Sequence, residues 1–315
     1  MYDIIGDIHG HADELVELLT KLGYAESDGC FRHPTRQAIF FGDFIDRGPH
    51  IPDVVQIARA MVEHNVAQAV LGNHEFNALA YHTLDPDSAD VPDAYLRPHN
   101  SQNRKQHRQT QEQFSADGLQ QALDWFRTLP AALDLDGLRI VHACWNPAAI
   151  HCINSAIEEL GPFSPAFLKL ATQQKHPLFH AIECVLKGPE LSLPAGMTVT
   201  DKEGNIRKRI RIRWFESPAQ HTWATYSLPV KIHLPHSSVP ATAPAVPYDD
   251  AQPPVFVGHY WLPESLPAPL KHNVACLDYS VAKHGMLCAY RFDGETRLSA
   301  EKFVTVDSRD RGDDL

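Results

Sequence analysis

Five short apolar runs in this chain each end in a polar, chemically loaded tip. They are Tyr2–Ile5 before Gly6-Asp7-Ile8-His9, Ala38–Phe41 before Gly42-Asp43, and Ala69–Leu71 before Gly72-Asn73-His74-Glu75. The other two are Leu138–Val141 before His142 and Val255–Val257 before Gly258-His259. An apolar run of this length bounded by Gly reads as a buried strand. Between the runs the period changes to that of amphipathic helices. His11–Leu22 places Leu15, Leu18, Leu19 and Leu22 on one face, and Pro52–His64 does the same with Val54, Ile57, Ala58 and Met61. Leu119–Leu129 repeats the pattern and stops before Pro130. Strand–helix–strand order in the first 80 residues predicts parallel pairing, whereas Asp136-Gly137 between two apolar stretches predicts an antiparallel hairpin. The fold class is therefore α/β with mixed pairing.

The stretch between His142 and His259 is too long for a loop. Short helices are expected at Ile153–Leu160, Pro165–Thr172 and Leu178–Lys187. A strand follows over Ile206–Phe215, with Arg207, Arg209, Arg211 and Arg213 on one face and Ile206, Ile210, Ile212 and Trp214 on the other. Ten of the 24 prolines fall between Pro229 and Pro269, so that part is extended and irregular apart from its strand. Residues 1–306 read as one domain with an inserted cap or lid over about 150–254, and the charged tail 307–315 as disordered.

Composition adds limits. Lys and Arg number 28 against 39 Asp and Glu, a net charge of −11, which argues against a stable nucleic-acid partner held by overall basic charge. Nineteen histidines are a high density of the commonest metal ligand. The six cysteines contain no CxxC pair, no apolar run approaches the ~20 residues that span a bilayer, and the N-terminus has no signal-peptide pattern. The expectation is a cytoplasmic protein with reduced thiols and no membrane partner.

The tips gather Asp7, His9, Asp43, Asp46, Arg47, Asn73, His74, His142 and His259. Open α/β sheets bind ligands at such strand ends. Carboxylate, amide and imidazole donors suit Mn, Fe, Zn or Co. Six of them could serve two adjacent cations if one carboxylate bridges, the arrangement that clamps in-line displacement at phosphorus. Arg47 is a fork suited to phosphate oxygens. His74 can protonate a leaving alkoxide, with Asp46 orienting it.

Gly6-Asp7-Ile8-His9-Gly10, Gly42-Asp43-Phe44-Ile45-Asp46-Arg47-Gly48 and Gly72-Asn73-His74-Glu75 resemble the three signature motifs of the calcineurin-like metallophosphoesterases. The resemblance is to their phosphoprotein phosphatase branch, which includes the symmetrical dinucleoside tetraphosphatases of bacteria. It implies a four-layer α/β/β/α sandwich of two mixed sheets with two divalent metal ions, Mn foremost and Fe, Zn, Co or Ni as alternatives. Asp7 and His9 would bind the first metal, Asp43 would bridge, and Asn73, His142 and His259 would bind the second. Arg47 and Asn73 would hold the phosphate, and His74 paired with Asp46 would be the general acid. A metal-bridging hydroxide would attack phosphorus with no phospho-enzyme. The chain departs from the pattern at His142-Ala143-Cys144-Trp145 and His259-Tyr260-Trp261, which places aromatic bulk beside the metals.

The resulting expectation is a phosphoesterase acting on a small phosphorylated molecule, a nucleotide or dinucleoside polyphosphate first. A phosphoprotein phosphatase, a nucleic-acid phosphodiesterase and a non-catalytic metal-binding scaffold follow in that order. The arginine face is either a solvated surface or a source of substrate contacts, with Arg211 and Arg213 reaching a second phosphate. The polar segment Arg97–Arg108 is likewise a solvated loop or helix face, or part of the pocket mouth.

Overall fold

The chain opens with β1 (Tyr2–Ile5), α1 (Ala12–Leu22), the hairpin β2 (Ala25–Ser27) and β3 (Cys30–Arg32), then β4 (Gln37–Phe40), α2 (Ile51–Glu63), β5 (Ala67–Ala69) and α3 (Asn73–Tyr81). Next come α4 (Ser101–Gln113), α5 (Ala116–Arg127), β6 (Ala132–Leu135) and β7 (Leu138–Val141). The inserted region holds α6 (Pro147–Leu160), α7 (Pro165–Thr172), α8 (Pro177–Lys187), β8 (Glu190–Ser192), β9 (Val199–Thr200), β10 (Ile206–Arg207), β11 (Arg209–Arg211) and α9 (Trp223–Tyr226). The chain returns through β12 (Val255–Val257), β13 (Val274–Cys276), β14 (Asp278–Tyr279), β15 (Met286–Phe292) and β16 (Phe303–Asp307). This computed structural model describes residues 1–88, 94–200, 204–231, 233–263 and 266–309.

Two mixed sheets result. In the first, β1, β4 and β5 are parallel neighbours, and β15 pairs antiparallel with β1, β14 and β16. In the second, the Asp136-Gly137 hairpin joins β6 to β7, and β12 lies parallel to both β7 and β13. Phe256 of the second sheet packs on Tyr290 and Phe292 of the first, with ring centroids 5.0 and 6.0 Å apart, so the sheets face one another. Helix α1 covers the first sheet with Leu15, Leu18, Leu19 and Leu22 fully buried. It ends at Gly23, whose φ of 94° lets its N–H reach back to Leu19 O and Thr20 O.

Two readings of the sequence change and one left open is resolved. Helices α5 and α6 start earlier than their apolar periodicity, because Ser115 and Asn146 cap them and accept bonds from Gly118 N and Ala149 N. The Arg97–Arg108 segment yields helix α4, capped by Asn100, whose buried side chains are His107 and Thr110. The expected strand Ile206–Phe215 is broken into β10, paired with β9, and β11, paired with β8. Ile210, Ile212 and Trp214 are buried as the alternation requires, but Ile206 is 72% exposed and the run turns at Trp214. The inserted region joins the common core, where the Trp214 indole donates to Ala143 O at 3.1 Å.

The disorder expected from Asp307 onward does not begin there. Asp307 ends β16, which pairs with β15, and Arg309 N donates to Glu14 Oε1 at 2.8 Å. Residues 310–315 lie outside the described residues. Burial pushes the Glu14 carboxyl up, but hydrogen bonds from His11 and from Arg309 N outweigh this and hold it at about 2. A carboxylate held below its unfolded value stabilises the fold above about pH 4.5 and loses that contribution as the pH falls toward 2. After solvent screening, wild type should exceed Glu14→Gln by about 1 kcal/mol at neutral pH, and the gap should close near pH 2. Urea titrations across that range measure it; a pH-independent gap would exclude linkage through Glu14.

Candidate metal centre

The tips lie at the ends of β1, β4, β5, β7 and β12, where the two sheets meet. Gly258 N bonds His142 O, and His9 N bonds Asp43 O at 2.8 Å, so the loops tie directly to one another. The approach leaves no space: a Cβ on Gly258 would lie 2.0 Å from Asp7 Oδ1, and one on Gly72 would lie 2.3 Å from Asp43 N. Among the described residues, eleven non-glycine positions have positive φ, and six of them are His9, Asp43, Asp46, Arg47, His259 and Trp261. Such conformations cost about 1–3 kcal/mol each and persist where surrounding bonds enforce them.

Asp7, His9, Asp43, Asp46, Asn73, His74, His142 and His259 are all buried. Among the described residues, two groups each bring three ligand atoms within 4.8 Å of one another: His9, Asp43 and His74, and Asp43, His142 and His259. Asp43 belongs to both. Its Oδ2 lies 3.5 Å from His9 Nε2 and 3.4 Å from His142 Nε2. Asn73 Oδ1 lies 3.0 Å from His142 Nε2 and 2.6 Å from His259 Nδ1. Asp7 Oδ2 accepts His259 N at 2.8 Å.

Donor chemistry fits divalent cations. Among the described residues, the buried atoms Asp7 Oδ1, His9 Nε2 and His259 Nε2 find no hydrogen-bond partner, a state costly for polar atoms unless another ligand takes them. Backbone carbonyls orient two of the rings: His9 Nδ1 faces Ile45 O at 2.9 Å and His142 Nδ1 faces Phe41 O at 2.8 Å. That leaves each Nε2 directed at Asp43, the outer-shell arrangement usual for ligating histidines. Burial pushes His9 well below its ordinary range and the charge on His74 adds to this; burial likewise lowers His259, with Arg211 adding. Burial and Asp278 push Asp7 well up. For Asp43, burial acts upward, but His142 and His74 outweigh it and hold the carboxyl well below its ordinary range.

Beside this group, His74 Nδ1 is 2.5 Å from Asp46 Oδ2. Asp46 stays ionised because hydrogen bonds from His107 and His74 outweigh its burial. The Arg47 guanidinium sits 4.3 Å from the centre of the Trp261 ring, which is 6.4 Å from the His9 ring. Arg211, from β11, donates to His259 O at 2.8 Å and so stands at the edge of the site. Arg213 does not join it: past the end of β11 its guanidinium bonds Glu216 and Leu270 O. Arg207 and Arg209 are exposed. The added aromatics also separate. Tyr260 is fully buried with its hydroxyl on Ala143 O, and Trp145 is 5% exposed beneath Arg139, so only Trp261 adds bulk at the site.

Glu75 and Thr110 carried no assignment from sequence, and His107 only that of a solvated face or the pocket mouth. Glu75, fully buried, accepts Asp43 N, Phe44 N, Ile45 N and Gly72 N, and so fastens the second tip to the third. Burial and the Asp43 charge push its carboxyl up to about 7. His107 and Thr110 reach Asp46 from α4. Their spacing of three puts both on one helical face, a signal masked by the lack of any apolar period.

The model of the calcineurin-like phosphoesterase family matches residues 2–161, half of the chain, over four of the five tips. The chain belongs to the calcineurin-like phosphoesterase family. Members of this family use a dinuclear divalent metal centre, and the group around Asp43 supplies candidate ligands for one. Among curated proteins, the chain is similar to an asymmetrical bis(5'-nucleosyl)-tetraphosphatase PrpE of Halalkalibacterium halodurans, 49% identical over 74 residues, 23% of this chain and 30% of that one. The PrpE of Oceanobacillus iheyensis is 45% identical over 73 residues, 23% and 29% of the two chains. The match thus spans under a third of either relative's length. Among solved structures, a cold-active protein-tyrosine phosphatase of a psychrophilic Shewanella covers 98% of this chain and 80% of its own, at 16% identity and a TM-score of 0.48.

Proposed function

We propose that the chain is a dinuclear metal-dependent hydrolase of phosphoric esters or anhydrides, acting on a nucleotide or dinucleoside polyphosphate. The observation that carries the reading is one buried carboxylate, Asp43, shared by two ligand groups with the His74–Asp46 pair beside them. Asp7, His9 and Asp43 would hold one cation, and Asp43, Asn73, His142 and His259 the other, with manganese as the metal. When bound, two such cations lower the pKa of water and neutralise charge on the phosphoryl group. The chain's own residues do the rest. Arg47 and Asn73 bind phosphoryl oxygens, Arg47 being braced against Trp261. His74 keeps Nδ1–H on Asp46 and holds a proton at Nε2 for the leaving oxygen. Strand ends and the inserted segment bury this chemistry and exclude water.

Residues 1–306 act as one domain in this reading, with 150–254 as a cap that contributes Arg211. All six cysteines are free, which suits a reducing compartment, and the cytoplasm is the proposed location. Among the described residues, no helix is long and apolar enough to cross a membrane. The test loads purified protein with Mn²⁺ and compares an aryl monoester, a diester and a dinucleoside polyphosphate. Metal-dependent release from the polyphosphate should be fastest; activity on none of the three would end the proposal.

Arg211 supplies the finer prediction. Among the described residues its guanidinium makes one side-chain hydrogen bond, to His259 O, which leaves further donors for a second phosphate. Arg211→Ala should raise KM for the polyphosphate about 10–100-fold, the worth of one charge-assisted contact, and leave KM for the aryl monoester within about threefold. Equal changes for both substrates would remove Arg211 from the second-phosphate position.

A further inference from the structure

Helix α4 brings a second histidine onto the carboxylate that serves His74. Asp46 Oδ1 accepts Thr110 Oγ1 at 2.6 Å and lies 2.9 Å from His107 Nδ1, while Oδ2 lies 2.5 Å from His74 Nδ1. Thr110 Oγ1 in turn accepts Asp46 N at 3.0 Å, which pins the backbone at a residue with φ of 65°. An ionised carboxylate only accepts hydrogen bonds, so His107 must carry its proton on Nδ1. Its other nitrogen is 3.0 Å from His82 Nε2. Burial and the neighbouring His107 push His82 down to about 4, so at ordinary pH His82 is neutral and has one N–H to give. His107 thus bridges His82 and Asp46, with His74 meeting Asp46 from the opposite side. His107 is 4% exposed, with its ring 5.1 Å from both the Tyr81 and His82 rings, so it has little freedom to turn.

We infer that His107 is a positioning residue for the general acid: by holding Asp46 Oδ1 it aims Oδ2 at His74 Nδ1 and keeps His74 Nε2 directed at the leaving oxygen. The inference rests on the acid role proposed for His74. His107 belongs to none of the three motifs that resemble the family, and it lies 33 residues beyond His74 along the chain. Asp46 and His74 alone form a pair joined by one bond, about which the carboxylate can rotate. The Thr110 and His107 donors remove that freedom, as supporting hydrogen bonds do for other catalytic groups.

The test uses the leaving group. An alkyl phosphate needs its departing oxygen protonated, whereas dinitrophenyl phosphate does not, so loss of acid function slows the first selectively. With Mn²⁺-loaded enzyme, His107→Ala should lower kcat on the alkyl ester about tenfold more than on the dinitrophenyl ester, with KM unchanged on both. His107→Asn, whose amide can donate in place of Nδ1, should recover the alkyl rate to within about threefold of wild type. A His107→Ala enzyme that loses both rates equally, or neither, overturns the inference, and so does a His107→Asn enzyme that is as biased as His107→Ala. Should His107→Ala fail to fold, Thr110→Val removes the other donor on Oδ1 and must show the same bias. His74→Ala separates the two layers of the argument. If it shows no leaving-group bias, the acid assignment itself falls; if it shows the bias and His107→Ala does not, only the role of His107 falls.

Discussion

Asp43→Asn should leave a folded protein that retains at most one divalent ion per chain and hydrolyses its best substrate at less than about a thousandth of the wild-type rate. The magnitude follows from losing the charge and the second coordinating oxygen of the one residue common to both ligand groups, worth about 4 kcal/mol of transition-state stabilisation. Asn matches Asp in shape, and its amide oxygen can still accept His74 N, which Asp43 Oδ1 takes at 3.0 Å. The amide nitrogen would then face His9 Nε2 and His142 Nε2, now 3.5 and 3.4 Å from Oδ2, and a donor cannot ligate a cation there. Metal analysis of dialysed protein together with kcat reads the result. Two retained ions and a rate within tenfold of wild type would show that Asp43 does not bridge. His9→Ala, by contrast, removes a ligand from only one of the groups and should lower metal content by one without equal loss at the other position.

Much of this centre is written in short-range pattern. Each of the five apolar runs became a strand, within two residues of its expected bounds, because buried parallel strands need continuous apolar side chains on both faces. The glycines at their ends are needed where backbones meet, as at Gly258 against Asp7. Other features depend on partners remote in the chain. Helix α4 has no apolar stripe, since what it buries is His107 and Thr110 against Asp46, and polar burial leaves no hydrophobic period to read. The arginine alternation at 207–213 is real as a pattern, yet only Arg211 reaches the site: the strand carrying it pairs with the three-residue β8 and ends there. The aromatic departures differ for the same reason. Tyr260 enters the core and reaches Ala143 O, whereas Trp261, held in a left-handed turn with φ of 53°, meets Arg47.

Glu75→Gln should destabilise the protein by about 2–4 kcal/mol and weaken metal binding, although Glu75 is not placed among the ligands. Its carboxylate faces donors on both sides: Oε1 accepts Phe44 N at 2.9 Å and Ile45 N at 3.4 Å, and Oε2 accepts Asp43 N at 2.7 Å and Gly72 N at 3.2 Å. Whichever way a glutamine amide is turned, its NH₂ meets at least one buried N–H, and that donor loses its acceptor with no water to replace it. The second consequence concerns geometry. Asp43 holds φ at 48°, a conformation that side-chain-bearing residues avoid, and Glu75 supplies the bonds to residues 43–45 that keep this part of the loop between β4 and α2 in that shape. Once those bonds weaken, the loop can relax, and Asp43 moves away from His9 and His142. Thermal or urea unfolding of the metal-free protein isolates the first effect; calorimetric Mn²⁺ titration of folded variant measures the second. A Glu75→Gln protein as stable as wild type, binding two ions with unchanged affinity, would show that the loop keeps its left-handed turn at Asp43 without this carboxylate. The physical expectation is the reverse, because a strained ligand loop is only as well placed as the buried acceptor that holds it.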